Sequence, residues 1–111
     1  MLEYLFANKN VEKILIYLFL HDKANATELS RSFGSSLDPI QKTLRKLEDG
    51  GLLVSFLEGR TRVFRWNPRY PFLQEIQALA KKSYEFLPLT IQGAYYQPVK
   101  RKRPRKTGKP L

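Results

Sequence analysis

Side chains that can bind phosphate groups or base edges are concentrated in one short stretch, "SLDPIQKTLRKLED" at 36–49. Apolar residues recur there three or four positions apart, at Leu37, Ile40, Leu44 and Leu47. Between them lie polar or basic residues, Gln41, Lys42, Arg45 and Lys46. This spacing predicts a helix with one apolar stripe and a polar face. Glutamine can pair with adenine and a basic side chain with guanine, so the polar face is suited to contact a duplex.

Pro39 would interrupt a helix that began much earlier, so its position indicates where this helix begins. With Ser36 as the N-cap, Pro39 is the third helical residue, whose N–H would have no intrahelical partner in any case. The Ser36 hydroxyl is then expected to accept from an early backbone N–H. The alternative is a capping box of Ser35 and Asp38, which would place Pro39 where a hydrogen bond is lost. We therefore favour Ser36.

A second basic group lies in a predicted β-hairpin. "LLVSFLE" and "TRVFRWN" are rich in branched and aromatic residues and flank Gly59-Arg60, a pair that suits a type II′ turn. Arg60 and Arg62 lie near the tip and are expected to reach phosphates or a minor groove. Trp66 is a possible base-stacking platform, but core packing is the favoured interpretation.

The remaining elements can be ordered along the chain. Residues 2–7 are predicted to be a short helix, and 11–21 a buried helix capped by Asn8 or Asn10. A turn at 22–26 leads to a short helix headed by Thr27 and ended by Gly34. After the helix from Ser36 and the hairpin, 72–87 returns to helical spacing. Two helices joined by a short turn and followed by a hairpin predict an α+β winged helix-turn-helix.

Charge is distributed unevenly along the 111 residues, whose net charge is +10. Residues 1–85 hold 13 Lys/Arg and all 10 acidic residues, whereas 86–111 hold 7 Lys/Arg and no acidic residue. The domain is therefore placed at 1–87, and 88–111 is interpreted as a basic, disordered tail. Lys100, Arg101 and Arg103 in this tail are expected to contact phosphates. The alternative is a terminus that only increases solubility.

Several classes of function have no sequence support. The chain has no cysteine, hence no disulfide or thiolate metal site, and shows no Gly-rich phosphate loop or HExxH motif. The single histidine, His21, is expected to be a helix-end residue rather than a ligand. The longest apolar run, Ile14 to Leu20, is too short to span a bilayer, and no signal peptide is recognisable. We therefore expect a non-enzymatic cytoplasmic protein without a cofactor or metal.

The segment "TELSRSFGSSLDPIQKTLRKLEDGGLL" at 27–53 resembles the core of ArsR/MarR-type winged-helix transcription regulators. The matching positions are Glu28, Leu29, Phe33, Gly34, Ser36, Ile40, Leu44, Leu47, Gly51, Leu52 and Leu53. "EGRTRVFRWNPRYPF" at 58–72 resembles the wing and exit of that family, and its "RWNPRYPF" is similar to small stand-alone regulators, including some linked to minimal nucleotidyltransferases. The resemblance covers about 8–87. Metal sensing is not implied, because the cysteine pair of the ArsR metal sensors is missing.

This resemblance implies sequence-specific binding of double-stranded DNA by a homodimer. The implied DNA-binding residues of the domain are Thr27, Ser36, Pro39, Gln41, Lys42, Arg45, Lys46, Arg60 and Arg62. A dimer seam is expected along Leu2, Leu5, Phe6 and the helix 72–87. Two alternatives remain open at this point: an RNA-binding winged helix, and a protein-interaction module such as the regulatory partner of a nucleotidyltransferase.

Overall fold

A computed structural model describes residues 2–96, and this part of the chain contains six helices and three strands. In chain order they are α1 (Glu3–Phe6), α2 (Lys9–His21), β1 (Lys23–Asn25), α3 (Ala26–Phe33), α4 (Leu37–Asp49), β2 (Leu53–Glu58), β3 (Thr61–Trp66), α5 (Leu73–Glu85) and α6 (Leu89–Tyr96). The strands form one antiparallel sheet with the order β1-β3-β2. The fold class is therefore α+β, as predicted.

Helix α2 occupies the centre of the molecule. Ile14, Ile16 and Leu18 are fully buried on it, which confirms the prediction from its nearly continuous apolar sequence. The Asn8 side chain caps the helix by accepting a hydrogen bond from the Asn10 amide at 2.8 Å. Because α1, α4 and α5 all pack against α2, its burial organises the rest of the core.

The predicted turn at 22–26 is wrong for its central residues, because Lys23–Asn25 form β1. This strand pairs with β3, with Ala24 opposite Phe64, and Ala24 is almost completely buried. Three residues are too few to show the alternation by which a strand is recognised in sequence. Asn25 also caps α3 by accepting from the Glu28 amide at 2.8 Å, so α3 begins at Ala26 rather than being headed by Thr27.

The hairpin of β2 and β3 agrees with its prediction. Leu53 lies opposite Trp66 at one end, and Glu58 lies opposite Thr61 at the turn. Gly59 has a φ of +64° while Arg60 is not left-handed, which fits a type II′ turn and excludes type I′. Trp66 is buried, and its Nε1 donates to the Leu18 carbonyl at 3.3 Å. Trp66 is therefore a core residue and not a stacking platform.

The predicted start of the tail at residue 88 must be corrected for residues 89–96. They form α6, which packs against α2 and α3, and Tyr96 is only 3% exposed. The sequence "LTIQGAYY" is short and contains Gly93, so its spacing alone did not indicate a docked helix. The remainder of the predicted tail, including Lys100, Arg101 and Arg103, lies outside the described residues.

His21 is the last residue of α2, as predicted, and has a contact that the sequence did not indicate. Its Nε2 lies 2.8 Å from the Tyr96 carbonyl oxygen and donates to it. No helix among the described residues is long and apolar enough to cross a membrane.

Candidate nucleic-acid interface

The connection between α3 and α4 is a short turn held by several hydrogen bonds. Gly34 has a left-handed conformation with a φ of +64°, as predicted for a glycine at the end of α3. The Ser35 amide donates to the Ser30 carbonyl at 3.1 Å, and the Ser30 hydroxyl donates to the Ser35 carbonyl at 2.5 Å. These bonds fix the direction in which the chain enters α4.

Helix α4 begins where the position of Pro39 predicted. Ser36 is the N-cap and has extended backbone dihedrals, so Pro39 is the third helical residue. The predicted capping bond from the Ser36 hydroxyl is wrong, since its side chain makes no such bond. An N-cap side chain normally accepts from the second or third helical N–H, and proline has no N–H to donate at the third position.

The two faces of α4 have the environments that its periodicity predicted. Ile40 and Leu44 are fully buried, and Leu47 packs partly against the core. The prediction that Leu37 belongs to the buried apolar stripe is wrong. Leu37 is 41% exposed because the first turn of α4 projects beyond the core. Buried Thr43 completes the inward face instead. The outward face is polar and exposed: Gln41, Lys42, Arg45 and Lys46.

A cleft of about 410 Å³ lies between α4, the start of α3 and the hairpin. Five of the residues predicted to bind DNA line it: Thr27, Gln41, Arg45, Arg60 and Arg62. Three of these side chains are guanidinium groups contributed by two separate elements, α4 and the hairpin. Such a concave, basic surface has the charge and shape to receive a phosphate backbone.

The other predicted residues of the domain do not line this cleft. Ser36, Pro39, Lys42 and Lys46 are exposed along α4. The Lys42 ammonium lies 3.2 Å from the Asp38 carboxylate, and both side chains are more than 70% exposed. An ion pair this exposed contributes little stability and leaves Lys42 available to a stronger anion.

Sequence reasoning missed four polar residues of this site: Asn25, Glu48, Ser55 and Thr61. Asn25 and Glu48 line the cleft, and the Ser55 hydroxyl donates to Glu48 Oε2 at 2.6 Å. The same hydroxyl accepts a hydrogen bond from Arg62 at 3.3 Å. Ser55 connects α4 to β3 in this way and orients Arg62. The hairpin register, which puts Ser55 diagonally across from Arg62, was the available signal.

The described residues contain no cluster of three His, Cys, Asp or Glu side chains that could hold a metal ion. Hydrogen bonds and packing between α3, α4 and the hairpin hold the geometry of the site. Its chemistry is that of guanidinium, amide and hydroxyl groups, with one carboxylate from Glu48.

Comparison with known proteins identifies the architecture. No protein-family model and no curated protein matches the chain. The crystal structure of the AntR antimony-specific transcriptional repressor superposes with a TM-score of 0.59, covering 76% of this chain and 74% of that chain at 20% sequence identity. The fold is a winged helix-turn-helix. In this winged helix, α3 and α4 are the helix-turn-helix pair and the β2–β3 hairpin is the wing.

Proposed function

We propose that this winged-helix protein binds double-stranded DNA in a sequence-specific manner and regulates transcription. One observation carries the proposal: the cleft between α4 and the wing is lined by five residues that were predicted from the sequence to bind DNA. In this proposal α4 enters the major groove and the wing lies on the minor groove or its phosphates.

Gln41 and Arg45 are the proposed base-reading residues. They lie one helical turn apart on the exposed face of α4, and both line the cleft. A glutamine amide can form two hydrogen bonds to adenine, and an arginine can form two to guanine. Exposed Lys42 and Lys46, together with Ser36 and Pro39 at the start of the helix, lie where phosphates on either side of the groove would pass.

Arg60 and Arg62 are the proposed phosphate-binding or minor-groove residues of the wing. Arg60 is in the turn itself, and Arg62 is oriented by Ser55. A partly pre-oriented guanidinium loses less conformational entropy on binding than a free one. Thr27, at the start of α3, faces the same cleft and has a hydroxyl that can donate to a phosphate oxygen.

Two further features support assignment to the ArsR/MarR type of small stand-alone regulator. The first is the motif at 27–53, whose glycine, cap and core positions occupy the expected places in the fold. The second is the similarity to a protein described as a transcriptional repressor. We do not extend that repressor's antimony specificity to this chain, which has no cysteine. A protein of this kind would act in the cytoplasm.

We also propose that the protein is a homodimer through α1 and α5. Large apolar side chains are exposed there, with Leu5 69%, Phe72 60% and Phe86 64% accessible. Large exposed apolar side chains are typical of an interface between subunits, and a dimer would match a two-fold symmetric operator. Sedimentation of the full chain at tens of micromolar should show the dimer, whereas a monomer would contradict this seam.

Selection from a pool of random-sequence duplexes at physiological salt tests the proposed function. We expect one enriched sequence, with Gln41→Ala relaxing the preference at an adenine and Arg45→Ala at a guanine. Each loss should amount to about 1–3 kcal/mol of discrimination. Arg69→Ala removes one exposed charge from outside the cleft and outside α1 and α5, and serves as the control. Pools that yield no enriched sequence, or stronger binding to structured RNA of equal length, would overturn the proposal.

A further inference from the structure

Glu48 brings a negative charge into a cleft whose other charged groups are positive. Of the described residues that line the cleft, it alone has a carboxylate, whereas Arg45, Arg60 and Arg62 contribute guanidinium groups. By its charge alone, this carboxylate should repel phosphates and weaken binding to a polyanion. The contacts of Glu48 indicate a contribution of the opposite sign.

The Glu48 carboxylate is hydrogen-bonded to the wing and not to the arginines of the cleft. Its Oε2 accepts from the Ser55 hydroxyl on β2 at 2.6 Å. Within the part of the chain that the structure describes, Glu48 forms no ion pair with the three arginines. Glu48 and Ser55 are both half-buried, so the hydrogen bond between them is partly shielded from water and is strengthened by the charge on the acceptor.

The direction of the hydrogen bonds through Ser55 is determined by its two partners. A serine hydroxyl has one proton to donate and two lone pairs that can accept. Because a carboxylate only accepts and a guanidinium only donates, the Ser55 proton points to Glu48 and a Ser55 lone pair faces Arg62. The Arg62 guanidinium donates to that hydroxyl oxygen at 3.3 Å. Glu48 therefore keeps Ser55 in the orientation in which it accepts from Arg62.

We propose that Glu48 is a positioning residue for the wing, which strengthens DNA binding by orienting Arg62 through Ser55. The inference rests on the proposed function, in which Arg62 contacts phosphates or the minor groove. Arg62 is exposed and has many rotamers, so holding its guanidinium in place before DNA arrives reduces the conformational entropy that is lost on binding. In this arrangement the carboxylate contacts no DNA and acts only through Ser55 and Arg62.

The direction in which affinity changes when Glu48 is removed tests this role. If Glu48 acted only through its charge, Glu48→Ala would strengthen binding to duplex DNA. We expect binding to weaken instead by about two- to tenfold, the factor that corresponds to ordering one long side chain. Fluorescence anisotropy of the full chain with the duplex enriched from the random pool, at physiological salt, measures the dissociation constants.

The matched control is Asp49→Ala. Asp49 is the next residue of α4, is exposed and does not line the cleft, so its replacement removes the same charge without affecting Ser55. This variant should bind the duplex as tightly as the parent does, or more tightly. Glu48→Gln is the conservative variant, because its amide oxygen can still accept from Ser55. It should bind more tightly than Glu48→Ala.

A double-mutant cycle with Arg62 distinguishes positioning from a general structural role. In an Arg62→Gln background the guanidinium is missing, so Glu48→Ala should no longer weaken binding. A structural defect would weaken binding equally in both backgrounds, and urea denaturation shows whether each variant is folded. If Glu48→Ala does not fold, Ser55→Ala interrupts the same connection and takes its place in the cycle.

The outcomes separate this inference from the proposed function. A parent that binds no duplex refutes the proposed function and the inference with it. A parent that binds, while Glu48→Ala binds equally or more tightly, refutes only the positioning role. An equal loss in the Arg62→Gln background refutes it as well. If selection with Glu48→Ala changes the preferred base at one position, Glu48 reads that base directly and the inference is also overturned.

Discussion

The Thr43 hydroxyl donates a hydrogen bond to the carbonyl oxygen of Pro39 at 2.9 Å, across the first full turn of α4. Its oxygen also accepts from the Asn8 side chain at 3.5 Å, and Asn8 is the N-cap of the central helix α2. Thr43 is only 4% exposed. One buried hydroxyl therefore connects the start of α4 to the central helix and helps determine how the polar face of α4 is presented.

Thr43→Val is expected to destabilise the fold by about 1–2 kcal/mol, because the isosteric valine leaves a part-buried Asn8 donor without this partner. Urea denaturation followed by circular dichroism measures the change. Thr61→Val, at an exposed strand position, is the control and should alter stability by less than about 0.5 kcal/mol. Equal stability of Thr43→Val and the parent would show that this hydroxyl does not secure α4.

The parts of the fold that depend on neighbouring residues in the chain were predicted correctly from the sequence. Pro39 and Gly34 constrain the backbone directly, so they predicted the start of α4 and the end of α3. The buried stripe of Ile40 and Leu44 followed from helical spacing alone. These elements needed no information about distant residues, and their predictions are confirmed.

The features that sequence reasoning missed depend on contacts between distant residues. β1 exists because Lys23–Asn25 pair with β3, about forty residues later. α6 packs against the domain because Tyr96 contacts His21 and Phe33. Nothing in the sequence of residues 89–96 indicates that these two residues are its partners. Individual side chains of the cleft, such as Arg45 and Arg62, were predicted separately. Their convergence with Glu48 and Ser55 required the hairpin to fold back towards α4.

Glu12 should make the stability of the fold depend on pH. It is buried on α2, where the Ser83 hydroxyl and the Leu2 amide both donate to its carboxylate. Burial alone would raise the pKa of Glu12, but these hydrogen bonds, together with the hydrogen bond and positive charge of the N-terminal amine, hold the pKa below its ordinary value of 4.5. The stability contributed by the ionised carboxylate is therefore fully present above about pH 4.5 and is lost as the pH falls through the lower, folded-state pKa.

Glu12→Gln should consequently reduce the free energy of unfolding by about 1.5–3 kcal/mol at neutral pH, the range for hydrogen bonds to a charged group. The difference from the parent should narrow as the pH is lowered below 4.5. Denaturation curves recorded from pH 7 to pH 3 measure both effects. Glu75→Gln, at an exposed position of α5, controls for the loss of one negative charge. A constant difference at every pH would contradict this role for Glu12.

Trp66 provides a direct check on which aromatic groups contact nucleic acid. It is the single tryptophan of the chain, is 8% exposed, and donates from Nε1 to the Leu18 carbonyl. Its fluorescence maximum should be blue-shifted in the free protein and should not change when duplex is added, because a core indole cannot stack on a base. Strong quenching by duplex, with no quenching by an equal concentration of inorganic phosphate, would contradict its assignment to the core.

The two wing arginines should affect the salt dependence of binding more than its sequence preference. A residue that neutralises one phosphate contributes about 0.9 to the slope of log K against log salt concentration. Arg60→Gln and Arg62→Gln should therefore each flatten the slope by about that amount while the selected sequence stays the same. Fluorescence anisotropy titrations between about 50 and 200 mM salt measure this slope for the parent and for each variant.

The matched control for the wing is Arg69→Gln. Arg69 is exposed after β3 and does not line the cleft, yet its replacement removes the same charge. If Arg69→Gln flattens the slope as much as the wing variants do, the chain attracts DNA through its overall charge and the wing has no specific role. If Arg62→Gln alone changes the slope, the guanidinium oriented by Ser55 is the wing contact, and Ser55→Ala should then weaken binding by a smaller factor in the same direction.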